Sequence, residues 1–344
     1  MTDGQSQFPA KGFPVENSKA EFSIASRATL EARHRVIQWS ARPSWSPETD
    51  VIEIARDGAT ILLGPRAGGR LMTWRVGGEP VIHWPDAPDW SSPAKIRGGN
   101  PLLFPFLGRH FVDGQIGKWC DPEGVVHDLP TYGFARNLPF SCTHDADGHG
   151  LRMTLVDSDA TRKGYPFAFR FEAAYRIVDA RTLEIELTTS NPGEVALPYY
   201  AGHHLYFHLP HGQRSESSVE LPRTERRRQL PDGSISEAEP GLPRYSLADP
   251  DIIDTFHCLT RQSGEPMCLN LPGLKRTVSF ELRQPDSIPW YAVTTWTESD
   301  TADFYCVEPW IGLPDAIYNG RGLRWLAPGK TETASLRLVV TPTK

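Results

Sequence analysis

Phe167, Phe169, Phe171, Ala173, Tyr175 and Ile177 fall at every second position of one run, with Arg170, Glu172 and Arg176 between them. Side chains of an extended chain alternate between two faces, so this period describes a strand with one face buried. The same pattern returns in Leu183, Ile185 and Leu187, in Val278, Phe280 and Leu282, and in Leu336 and Leu338. Tyr291–Thr297 and Phe304–Val307 read as further strands. Val51–Arg56, Ala59–Gly64, Leu71–Val76 and Glu79–Trp84 are short β-favourable runs, punctuated by Asp57-Gly58 and Gly68-Gly69. No run of helical period alternates with these, which disfavours a βαβ fold. The expected class is mainly β, one large antiparallel β sandwich.

Composition agrees. The 344 residues include 29 Gly and 31 Pro, above the usual combined share of about 12%. Pro breaks helix interiors and Gly weakens them. Scattered polar residues mark 1–45 as an N-terminal arm, in which Ala28 to Trp39 can form one helix without a clear apolar face. Residues 46–344 then form a single domain. The Pro-containing connections Pro85–Pro93 and Arg223–Pro243 are expected to be surface loops.

The formal net charge is -6 and no dense basic run occurs, so a nucleic-acid groove is not expected. A small neutral or polar substrate suits this balance. No apolar stretch approaches the roughly 20 residues of a membrane helix. The first residues lack the basic start and apolar run of a secretory signal. Cys120, Cys142, Cys258, Cys268 and Cys306 are odd in number and form no CxxC pair. A disulfide framework is therefore not expected, and a cytoplasmic location is.

Three segments set unusual polar residues in apolar surroundings. Gly98, Gly99, Asn100, Pro101 and Pro105 hold one stretch in non-repetitive conformations. Arg97, Arg109 and Arg136 flank it and Tyr132, and a guanidinium there can fork hydrogen bonds to hydroxyls, carboxylates or phosphates. For each arginine alone, a solvated or structural ion pair competes. The second segment, Gly202 to His208, places His204, Tyr206 and His208 on one strand face. Histidine titrates near neutrality and suits a general acid, although a satisfied core histidine is commoner. His204, His208 and His211 also allow a metal reading, but no nearby Cys completes a zinc spacing and HExxH is absent. The third, Phe304 to Trp310, puts Glu308 among apolar neighbours, as a base or as a structural carboxylate. Neither Gly-x-Ser-x-Gly nor a Gly-rich phosphate loop is present. A glycosidase needs two carboxylates, and Glu308 with Asp254 or Asp315 leaves that open.

Together these segments resemble the aldose 1-epimerase (galactose mutarotase-like) family, from about Val51 onward. Gly98 to Phe106 is similar to its GG-x-P-x-x-FP segment and Tyr132 to Arg136 to its HGFAR. Gly202 to Phe207 is similar to GxHxYF, Cys306 to Trp310 to CxEPW, and Leu323 to Gly329 to a closing L-x-PG turn. The resemblance implies a β sandwich that interconverts the α and β anomers of aldoses, or in one branch of hexose 6-phosphates, without metal or organic cofactor. It implies Glu308 as the base on the anomeric hydroxyl and His204 as the acid on the ring oxygen. Arg109, Tyr132, Asp254 and Arg97 are the expected substrate-binding residues, and the expected partner is a sugar or sugar phosphate bound by a monomer or homodimer. Lys95, Arg97, Arg109 and Arg136 give the first segment a basic character that suits a 6-phosphate. Two positions depart from the family pattern: Tyr132 stands for a histidine, and Asn100 for a small or branched apolar residue. A tyrosine, with an ordinary pKa near 10, donates one hydrogen bond but supplies no cation at neutral pH. The departure admits a second reading, a non-catalytic carbohydrate-binding or sensing protein, and a third, a glycosidase or lyase on the same sandwich.

Overall fold

The computed structural model describes residues 50–260, 267–282 and 286–343. The arm and helix expected within 1–45 lie outside the described residues. Two large sheets form the body, and every pair of neighbouring strands is antiparallel. The twelve-stranded sheet runs Ile52–Arg56, Ala59–Gly64, Arg70–Val76, Glu79–Ile82, Tyr206–His208, Phe304–Trp310, Ala292–Trp296, Thr255–Leu259, Thr224–Arg227 and Glu239–Pro240. Gly202–His203 pairs with Phe304–Trp310 and carries the short strand Leu102–Leu103 on its other side. The nine-stranded sheet runs Ser141–His144, Gly150–Val156, Arg170–Asp179, Thr182–Ser190, Thr331–Pro342, Arg276–Glu281, Met267–Leu271, Ser218–Glu220 and Arg244–Ser246. Among the described residues the only α-helices are Asp159–Arg162 and Ala316–Asn319. None is long and apolar enough to cross a membrane.

Register turns the sequence alternation into a core. Tyr175 lies opposite Ile185, which lies opposite Leu336, and Ala173, Leu187 and Ala334 line up in the same way. One face of this sheet is therefore a continuous apolar layer. It meets the other sheet through aromatic contacts: Phe171 stacks on Phe104 with ring centroids 4.2 Å apart, and Phe280 tilts against Phe207 at 5.3 Å.

Two expectations need correction. The strand expected from Phe167 starts only at Arg170. Pro166 has no N–H to pair, the Phe167 amide turns back to the Tyr165 carbonyl, and the Phe169 amide donates to the Asp157 carboxylate. Phe167 and Phe169 stay buried even so. The segment Arg223–Pro243 is also not wholly loop. Thr224–Arg227 pairs with Thr255–Leu259 and with Glu239–Pro240, and so closes one edge of the larger sheet.

Phe171 is fully buried between the sheets. Phe171→Ala should cost about 3–5 kcal/mol, read as a lower urea midpoint at unchanged slope. A loss under about 1 kcal/mol would mean that this contact does not hold the sheets together.

Candidate active site

All seven residues of Phe304–Trp310 are buried. Tyr305 and Val307 point into the main core, whereas Phe304 and Cys306 pack with Tyr206 in a separate cluster on the opposite face. Glu308 follows Phe304 and Cys306 at the strand period and shares their face. A carboxylate on a covered outer face marks a cleft rather than solvated sheet surface.

The neighbouring chain breaks its ladder beside this carboxylate. Gly202 pairs with Trp310 and Tyr206 pairs with Cys306, while His204 and Leu205 between them belong to no strand. The peptide groups freed by the break take side-chain partners. The His204 amide donates to Asn100 Oδ1 at 2.9 Å, and the Trp310 indole N–H donates to the His203 carbonyl at 3.0 Å. Asn100 Oδ1 must face that amide, so Nδ2 points the other way, donating to Tyr175 Oη at 2.9 Å and meeting His203 Nδ1 at 3.0 Å. His203 Nδ1 is thereby the acceptor and its proton sits on Nε2. Burial lowers the His203 pKa to about 3, so the ring stays neutral. Gly99 serves the same corner: its φ is +72°, and a Cβ there would lie 2.2 Å from the Leu71 carbonyl oxygen.

The break aims His204 at Glu308. His204 Nδ1 and Glu308 Oε1 are 3.3 Å apart, with the residues 6% and 1% exposed. The contact lacks hydrogen-bond geometry, and His204 Nδ1 and Glu308 Oε2 are both without a hydrogen-bond partner. Burial pushes the Glu308 pKa well above the carboxylate range, Asp254 adds to the rise, and the Trp310 indole opposes it. Burial pulls His204 well below its ordinary value, and the charges of Arg136, Arg97 and Arg70 pull further. Both shifts favour the uncharged forms, a neutral carboxyl beside a neutral imidazole. This pair carries the same number of protons as a carboxylate beside an imidazolium.

Aromatic rings wall the pair. Tyr206 stacks on His204 at 4.8 Å, and Trp296 and Tyr132 meet it edge-on at 5.6 and 5.8 Å. Tyr132 has φ +66°, and Gly133 after it has φ +70° with no room for a Cβ, which would sit 2.1 Å from the Phe104 carbonyl oxygen. Burial, then Glu308 and Asp254, raises the Tyr132 pKa, so its hydroxyl remains a neutral donor. Asp254, itself exposed, acts electrostatically on both Tyr132 and Glu308, and Arg109 acts on Tyr132. Arg109 is held by Gln229: its Nε donates to Oε1, and Nε2 of Gln229 returns a bond to the Arg109 carbonyl, both at 3.0 Å. Arg97 is exposed, pairs with Glu298 at 2.8 Å and lies over Trp296. The structure thus gathers His204, Glu308 and Tyr132 directly, with Asp254, Arg109 and Arg97 around them. Asp315 instead adjoins Tyr200 and the Phe111 backbone.

The three-histidine metal reading does not assemble. His208 stacks on His83, and His211 pairs with Asp303 at 2.8 Å. Sequence reasoning missed Arg70, which is 1% exposed with Nε and Nη2 unpartnered. It carries no motif, and nothing in its local sequence sets it apart from a solvated strand arginine. Arg136 Nε is likewise unpartnered, while Nη2 donates to the Thr131 carbonyl at 3.0 Å and the guanidinium lies over Tyr132.

Residues 50–337 match the family model described as aldose 1-epimerase. The chain belongs to the aldose 1-epimerase family. Over 146 residues it is 30% identical to "Putative glucose-6-phosphate 1-epimerase" of Escherichia coli (strain K12), covering 41% of this chain and 43% of that protein. The chain thus matches less than half the length of that curated relative. The fold is similar to that of the Slr1438 protein of Synechocystis sp. PCC 6803, with TM-score 0.72, 22% identity, and 88% and 99% of the two chains covered. It is also similar to a galactose mutarotase related enzyme from Lactobacillus acidophilus, with TM-score 0.71, 22% identity, and 86% and 98% covered.

Asn100→Leu removes the acceptor of the His204 amide and both donors of the buried amide. Each stranded polar group costs about 1–3 kcal/mol. A lower urea midpoint is expected, and an unchanged midpoint would show that the amide does not hold the turn.

Proposed function

We propose that this protein interconverts the α and β anomers of a hexose 6-phosphate, with Glu308 as base and His204 as acid. The observation that carries the reading is the buried His204–Glu308 contact at 3.3 Å, within family-like sequence contexts. Ring opening needs one group to take the anomeric hydroxyl proton and another to protonate the ring oxygen. Moving the Glu308 proton to His204 creates both without changing the charge of the site. Sugar hydroxyls donating to Glu308 favour that form, because hydrogen bonds to a carboxylate stabilise its charge. Once the ring is open, rotation about C1–C2 and reclosure reverse the two transfers. Tyr132, as a neutral donor, serves orientation, and Asp254 and Arg109 hold hydroxyls. Residues 46–344 form the one catalytic domain.

The phosphate rests on Arg70 and Arg136. Neither pairs with a carboxylate among the described residues, and both act electrostatically on His204. Unpartnered buried guanidinium nitrogens suit a dianionic phosphate. The relative's name, "Putative glucose-6-phosphate 1-epimerase", supports the same substrate. The five cysteines form no disulfide, which supports a reducing cytoplasm as the working compartment.

NMR exchange spectroscopy should record faster anomer exchange of glucose 6-phosphate, with Glu308→Gln and His204→Gln each slower by about 10²–10⁴-fold. The working pair holds one proton, so its acid limb should lie well below the ordinary histidine value of 6.5. An inflection at that value would overturn the electrostatic account. Saturable binding without faster exchange would favour a carbohydrate sensor.

Arg70→Gln should raise KM for glucose 6-phosphate about tenfold or more, the worth of a charged hydrogen bond, and change KM for free glucose less. Equal changes for the two sugars would remove Arg70 from phosphate recognition.

A further inference from the structure

The proposed sugar chemistry, on which this inference rests, gives Cys306 no role, yet its thiol lies beside both His204 and Glu308. One ring nitrogen of His204, Sγ of Cys306 and one carboxylate oxygen of Glu308 lie within 4.8 Å of one another, and all three residues are buried. His204 Nδ1 and Glu308 Oε2 have no hydrogen-bond partner. The 3.3 Å between Nδ1 and Oε1 matches the edge of a tetrahedron whose ligands stand about 2.0–2.1 Å from Zn²⁺.

We propose that His204, Cys306 and Glu308 form an inhibitory site for a thiophilic divalent cation, Zn²⁺ above all, which excludes the sugar by occupying both reacting groups. Binding forms S–Zn, N–Zn and O–Zn bonds from ligand lone pairs, and the thiol and carboxyl protons leave to water. Thiolate and carboxylate together cancel the charge of the ion. Arg70, Arg97 and Arg136 oppose any cation held by charge alone, which excludes Mg²⁺ and Ca²⁺. A thiolate ligand selects a softer ion. Sequence spacing hides the trio, because Cys306 comes from a strand far along the chain from His204.

The test uses the full chain, stripped with a chelator and titrated with Co²⁺ as a spectroscopic stand-in for Zn²⁺. One equivalent should give a thiolate-to-cobalt charge-transfer band, which Zn²⁺ displaces and millimolar Mg²⁺ or Ca²⁺ does not. Cys306→Ser and Cys306→Ala should abolish the band, with the folded state checked by thermal unfolding. His204→Gln, an independent arm should both Cys306 variants unfold, should weaken Co²⁺ binding at least tenfold. Glucose 6-phosphate at saturation should weaken Co²⁺ binding, and Zn²⁺ should inhibit anomer exchange competitively. No band, a band that survives loss of Cys306, Co²⁺ affinity indifferent to His204→Gln, or displacement by Mg²⁺ each overturns the site. The band reports binding directly, so its absence leaves the sugar reading intact. Lack of turnover would equally leave the metal site standing.

Discussion

The side-chain amide of Asn100 fixes the corner on which the site depends. Its carbonyl takes the His204 amide, and its N–H groups reach Tyr175 on the nine-stranded sheet and His203 on the other. One fully buried group therefore ties both sheets to the break that aims His204. The amide uses its oxygen and both of its N–H groups, and that pairing gives one geometry, while His203 Nε2 beyond it has no partner. An apolar residue at this position would leave the His204 amide to find another partner.

The cleft combines strong opposing fields. Burial drives Glu308 and His204 toward neutral forms, and three arginines make an imidazolium still less favourable. Low dielectric strengthens each of these effects. The uncharged forms that these shifts favour leave no uncompensated charge on either group. In the proposed reaction, sugar hydroxyl donors would favour the carboxylate, and an anionic phosphate would offset the arginines. Tyr132, Tyr206 and Trp296 pack their rings around His204 and bury it.

Much of the fold was legible because period-two alternation is local. Tyr175, Ile185 and Leu336 each read as buried from their own neighbours, and the structure places them side by side. Phe167 and Phe169 misled because side-chain periodicity says nothing about where the amides go, and Pro166 and Asp157 diverted them. Within the site, the short motifs singled out His204, Glu308 and Tyr132, which do converge. Arg70 stayed hidden because a charged residue in an ordinary strand looks solvated until its neighbours in space are known. Asn100 stood out only as an odd residue, and its three partners lie on segments remote from it in sequence.

The sequence by itself determined the strands, the sandwich class and the segments that carry His204, Glu308 and the arginines. Those are properties of neighbouring residues, and local periodicity and composition express them. Only the tertiary structure decided that His204 faces Glu308 with Cys306 beside them, that Arg70 keeps Nε and Nη2 without a partner, and that Arg97 pairs with Glu298. These follow from which strands pair and where one ladder breaks. Proton affinity and ligand geometry depend on burial and on charges brought together across the chain, and no local pattern of residues contains them.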